Sequence, residues 1–285
     1  MAYPTVSAPY GVLPQNLIGG QVYAGSTRNY PIAYNYGTNI FYGDLVTLGT
    51  TGSTAGCIIP AATNTSLTSK GTVGVFLGCS YTNPTTKQKL FSQYYPASTA
   101  AGDIQAIIAD DPDTVFKMAA VASASSNVIS SFPSAMVGLN AVENTPVGST
   151  TTGNSGAGLV AATTTVAVGS GGAFRILSLV PDTQVTSSAV FVSTTTTSFV
   201  VSGLPVGLVI PVGTDLFQLI GGQLQQLGVG ANVATAATVT TTGNTTLTIS
   251  AAVTTTPTAG ATIVLVQSPE VLVKLNFGVH NYYAA

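Results

Sequence analysis

Asp110, Asp111 and Asp113 form the only cluster of acidic side chains in the chain. Carboxylates this close together suit two chemistries, paired acid and base catalysis or the oxygen cage of a calcium ion. The same residues around Pro112 also suit a tight turn, because Asp side chains bond their own backbone and Pro fixes φ. The turn is the preferred reading. A nucleophilic relay needs a positioned histidine. The single histidine, His280, has no carboxylate near it in sequence and is read as a structural or subunit-contact residue. Cys57 and Cys79 are the only cysteines. With one distant His they cannot complete a four-ligand zinc site, so they are read as buried thiols kept reduced in a cytoplasm, with a disulfide as the alternative. Gly19-Gly20, Gly169-Ser170-Gly171-Gly172 and Gly221-Gly222 lack the strand-to-helix setting of a phosphate loop and read as turns. The expectation is a chain that is no enzyme, with no catalytic residues, no cofactor and no metal.

The remaining informative side chains are those suited to contact. Arg28 and Arg175 stand in largely uncharged surroundings, where each either anchors an ion pair between subunits or extends to the surface. Tyr3, Tyr10, Tyr23 and Tyr30 near the start, and Tyr282 and Tyr283 near the end, combine a large apolar ring with a polar tip. These eight residues are the candidate interface.

Composition points the same way. Only 6% of the 285 residues are charged, against about 25% in ordinary soluble domains, and colloidal stability leans on charged surface. A chain this poor in charge belongs in a large assembly. A net charge of −2 and a pI near 5.0, with seven basic residues in all, give no electrostatic footprint for nucleic acid. Mean hydropathy is +0.45, yet no window approaches the roughly 18 unbroken apolar residues of a membrane helix. Met1-Ala2-Tyr3-Pro4 opens no secretory signal. Neither nucleic acid nor membrane is expected as a partner.

The elements that must carry these residues read as strands. Abundant Thr, Val, Gly and Ser suits pleated surfaces rather than helices. Residues 1–30, rich in Pro, Gly and Tyr, predict an extended N-terminal arm and a first strand near Gln21-Val22-Tyr23. Strands follow at about Leu45–Leu48 and Cys57–Pro60. One hairpin joins Val73–Tyr81 to Lys87–Tyr95 through Asn83-Pro84-Thr85-Thr86, and a second joins Ile104–Ala109 to Thr114–Ala120 through Asp110–Asp113. Ala135–Asn140 reads as a short helix or strand, Gly148–Gly156 as an exposed loop, and Phe174–Val180 as a return to sheet.

Residues 189–267 differ in texture: Asp215 is the only charge between Asp182 and Glu270, and the block has no Tyr. It carries a weak repeat. Thr197–Ser202 matches Thr245–Ser250, each followed by a Pro-containing loop and then Gly213–Phe217 or Gly260–Val264. Val271–Phe277 alternates again and predicts a strand that rejoins the first domain. The reading is therefore all-β: an antiparallel barrel or sandwich of residues 31–188 plus 268–285, an arm over 1–30, and a small inserted β domain over 189–267.

Gly43-Asp44-Leu45-Val46, Gly56–Ala61 and Gly74–Gly78 together resemble the opening of head decoration, or cement, proteins of tailed phages. Gly74–Pro96, Asp110–Phe116 and the Gly148–Gly156 loop look like virion structural proteins of marine cyanophages. The resemblance spans about residues 10–185 and 268–285. It implies a protein of the virion capsid surface, made in the host cytoplasm, that binds the major capsid protein and itself, as a homo-trimer or homo-dimer, and bridges capsomers. A tail or connector component, or a module adhering to the host surface, is the alternative. The shell protein itself fits poorly, because no long amphipathic helix is readable.

Overall fold

In the computed structural model, residues 6–61, 71–144, 148–161, 172–228, 231–276 and 280 are described. Tyr3, Tyr282 and Tyr283 lie outside them. Twenty strands and three short 3-10 turns make up the regular structure of the described residues.

The strands up to residue 179 are β1 (Leu13–Leu17), β2 (Arg28–Pro31), β3 (Leu45–Leu48), β4 (Ile58–Pro60), β5 (Thr72–Thr82), β6 (Lys89–Ser92), β7 (Gln105–Ala109), β8 (Thr114–Val121), β9 (Asn140–Ala141), β10 (Leu159–Val160) and β11 (Phe174–Leu179). Next come β12 (Val185–Thr194), β13 (Ser198–Ser202), β14 (Val209–Ile210), β15 (Asp215–Ile220), β16 (Gln223–Gln226), β17 (Ala237–Thr238), β18 (Thr245–Thr248) and β19 (Thr262–Gln267). The last is β20 (Glu270–Leu275).

Two sheets form a sandwich. One has the order β1-β8-β20-β11-β9, with β10 also on β8; the other has the order β2-β7-β5-β3-β4, with β6 also on β5. Their facing side chains share one core, in which Leu45, Val75 and Ala109 of the second sheet meet Phe116, Met118, Phe174, Val271 and Val273 of the first. The far face of the second sheet is also covered, by a cluster of Ile40, Phe76, Tyr95, Ile104 and Ile108. Burial on both faces explains why β5 and β8 are nearly continuous apolar runs rather than alternating ones. The fold is all-β and sandwich-like, and no closed barrel occurs among the described residues.

The Asn83 hairpin forms, with Thr82 opposite Lys89 and the Asn83 Oδ1 accepting from the amides of Thr85 and Thr86. The second hairpin does not. β7 pairs with β2 and β5, whereas β8 pairs with β1, β20 and β10, so the Asp110–Asp113 turn carries the chain from one layer of the sandwich to the other. Turn chemistry specifies that the chain reverses, not that the flanking strands bond to each other. The first strand also lies elsewhere than expected. It is β1, and Val22 makes only an isolated bridge to Asn16. The N-terminal stretch is extended, but its described part lies against its own core. Val6 and Val12 are buried, and the Gly11 and Val12 amides donate to Ala157 and Gly43 carbonyls at 2.9 and 3.0 Å.

The third large sheet, β16-β15-β19-β12-β13-β18, is built wholly within residues 185–267, beginning at Val185 rather than at 189. Its own core gathers Phe191, Phe199, Leu216, Leu247, Ile263 and Leu265. The sequence repeat has a geometric counterpart here. β13 and β18 run antiparallel with Phe199 opposite Leu247, and β15 and β19 run antiparallel with Phe217 opposite Val264. Each of these pairs joins equivalent positions of the two copies. β20 then returns to the first sheet between β8 and β11.

Candidate interaction surface

Several charged residues are paired within the chain. Arg28 Nε lies 3.2 Å from Asp110 Oδ2, to which the Tyr30 hydroxyl also donates at 3.1 Å. Neighbouring strands make this possible: β2 lies on β7, with Arg28 opposite Ile108 and Tyr30 opposite Ala106, so both side chains reach the residue that follows β7. His280 is buried, and its Nε2–H donates to the Asp110 carbonyl at 3.1 Å. Burial holds the imidazole pKa below its ordinary value, so the ring is neutral near pH 7.

The other two acids of the cluster go separate ways. Asp111 Oδ1 accepts from the Asp113 amide at 2.9 Å, as a turn residue does, while Asp113 Oδ1 takes the Lys274 ammonium at 2.8 Å. The three carboxylates thus serve three different partners. A third ion pair lies within the first sheet, between β8 and β20, and the arm reaches it. The Tyr10 hydroxyl donates to Glu270 Oε1, Lys117 Nζ lies 3.4 Å from the same oxygen, and Lys117 Nζ stands 5.8 Å from the centroid of the Tyr10 ring. Burial, then the Glu270 hydrogen bond, raises the Tyr10 pKa.

Of the candidate interface residues, Tyr10, Arg28 and Tyr30 make contacts within the chain. Tyr23 donates to the Ser26 carbonyl at 2.9 Å and packs its ring on the core. Arg175 is exposed on β11. These pairings join residues up to 260 positions apart, and no local spacing signals them. Cys57 and Cys79 are free thiols; burial pushes the Cys79 thiol up to about 12, so it is not a nucleophile near neutral pH.

Several large apolar side chains also face solvent. Phe91 is 80% exposed, Val22 81%, Val128 68% and Tyr34 66%. On the third sheet, Leu219, Ile220 and Leu224 are exposed together at one hairpin. Among the described residues no group of His, Cys, Asp and Glu could hold a metal ion, and no helix is long and apolar enough to cross a membrane.

The two sheet systems also meet in a built junction. The Ser134 amide donates to Asp215 Oδ2 at 2.7 Å, and Gln226 Nε2 reaches Ser134 Oγ at 3.3 Å. Ser130 Oγ and the Ser131 amide both donate to the Val212 carbonyl, at 2.9 and 3.1 Å. Gly213 has φ +81°, and a Cβ there would fall 1.8 Å from the Ser131 carbonyl oxygen, so only glycine permits this approach. The chain matches no family model, and no curated protein or solved structure is similar to it.

Proposed function

We propose that this chain is a non-enzymatic structural protein of a phage virion, which decorates the capsid and stabilises it by bridging capsomers. The observation that carries the reading is the disposition of charge. Four ion pairs within the chain take up eight of the sixteen charged side chains, and large apolar side chains stand at the surface. Such a surface is suited to many weak contacts repeated over a lattice, whose effects accumulate through multivalency. The resemblance of the Gly43–Val46, Gly56–Ala61 and Gly74–Gly78 strands to head decoration proteins supplies the kind of lattice, and the major capsid protein as the partner.

The described part of the N-terminal stretch contributes to the chain's own sheet, so the contacts to the shell are assigned to the exposed side chains around Tyr34 and Phe91 rather than to a free arm. The test is a count of this protein relative to the major capsid protein in purified virions. Decoration requires a copy number comparable with the shell protein. A few copies per particle would move the assignment to the tail or connector, and absence from virions would end it.

A further inference from the structure

β11 and β20 are neighbours in the first sheet, and their ladder sets Arg175 directly opposite Lys274. Phe174 and Ile176 on either side of Arg175, and Val273 and Leu275 on either side of Lys274, lie in the sandwich core, so the two basic side chains leave from the outer face of the sheet. Like charges at paired positions repel. With only seven basic residues in 285, abundance does not account for two of them meeting there. Lys274 is 6% exposed, and its ammonium turns to Asp113 Oδ1 at 2.8 Å. Arg175 is exposed and belongs to none of the four ion pairs among the described residues.

The two cations line a cleft of about 330 Å³, together with Ile18, Leu177, Leu275 and Asn276. Main-chain bonds fix its walls. The Ile18 amide donates to the Asp113 carbonyl at 2.9 Å, the Asn276 amide to the Ala173 carbonyl at 2.8 Å, and Asn276 Nδ2 to the Gly172 carbonyl at 3.0 Å. Leu177 is the extra residue of a β-bulge, a device that re-aims side chains. Arg175 and Lys274 against Asp113 leave one positive charge at the cleft, while Lys117 and Glu270, also on this face, neutralise each other. A single positive charge is matched by a monoanion rather than by a phosphate dianion. The guanidinium fork fits a carboxylate through two parallel N–H···O bonds, and the Ile18 and Leu177 side chains suit an apolar group beside it.

We infer that this cleft receives an acidic side chain of a partner protein, a glutamate or aspartate with an apolar neighbour. Arg175 holds the carboxylate, and the neighbour rests against Ile18 and Leu177. Lys274, whose ammonium faces Asp113, adds positive field from behind. The inference specifies the group received rather than the protein that carries it, and so stands apart from the shell reading.

The test is nuclear magnetic resonance of the isotopically labelled full chain, without capsids, titrated with acetyl-Leu-Glu-Leu-amide, with its Gln counterpart and with inorganic phosphate. The peptide pair tests the charge without any substitution. Arg175→Gln, at an exposed position, tests the fork in a chain whose fold circular dichroism checks. The expected result is a saturable shift of the Arg175 Nε–H and Leu177 methyl signals with the Glu peptide. Binding should be about tenfold or more weaker for the Gln peptide and in Arg175→Gln, where the Leu177 methyls carry the reading, because a charge-assisted bond is lost. No shift at millimolar Glu peptide, equal affinity for the two peptides, binding that survives Arg175→Gln, or phosphate held more tightly than the Glu peptide would each overturn the inference. A chain that binds the Glu peptide but is absent from virions would count only against the decoration role, and a virion protein that ignores the peptide only against this cleft.

Discussion

Asp215 Oδ2 accepts a 2.7 Å hydrogen bond from the amide of Ser134, which joins the only charge of the third sheet to the backbone of the sandwich. Replacing Asp215 with Ala leaves that amide without its acceptor and is expected to cost about 1–3 kcal/mol. Urea denaturation of the two proteins measures the difference.

The same carboxyl gives a signed pH dependence. Burial raises its pKa above the ordinary 3.8, so the folded chain holds the proton more firmly than the unfolded chain. Its contribution is greatest below 3.8 and declines as pH rises through the raised value. Asp215→Asn keeps an acceptor and cannot ionise. The variant should lose this decline in a series of urea midpoints against pH; an identical slope in both proteins would refute the assignment.

His280 acts in the opposite sense. Its folded pKa lies below 6.5, so the stability it contributes is complete above 6.5 and is lost as pH falls through the lowered value. His280→Gln should flatten the fall in melting temperature on the acid side of 6.5. The same variant should change little at neutral pH, where the imidazole is uncharged.

At Gly213 a methyl group would meet the Ser131 carbonyl in a backbone region that disfavours L residues. Gly213→Ala is expected to cost about 2 kcal/mol or more. If the junction is what it strains, limited proteolysis should cut first near residues 129–136 or 208–215. Unchanged stability would mean that the two sheet systems do not need this contact.

Truncation separates an arm from a strand. Deleting residues 1–20 removes β1 from β8 and the Tyr10 hydroxyl from Glu270, so the melting temperature should drop sharply rather than stay level. Deleting residues 268–285 removes β20 from the middle of its sheet and should leave an insoluble product. A stable 1–188 fragment would contradict this sheet order.

The legible parts of this fold were those with local causes. The all-β class followed from Thr and Val content, the Asn83 turn from its own side-chain chemistry, and the repeat from matched residues whose pairing the structure centres on Phe199 and Leu247. The Asp110–Asp113 turn was recognisable as a turn, but its flanking strands bond to partners far away in sequence. β1 was hidden because Leu13–Leu17 holds a Pro, an Asn and a Gln, and its place depends on an edge of β8 that no local pattern reveals. The partner of Arg28 was hidden for the same reason: Asp110 is brought near it by sheet register.

The central place of β20 has a consequence for biosynthesis. Residues 185–267 hold all the strands of their own sheet and can fold as soon as they emerge from the ribosome. The first sheet cannot close the gap between β8 and β11 until residues 270–275 follow. The first sheet therefore waits for the last-made strand, a period in which nascent chains are open to chaperones and to premature contact with one another.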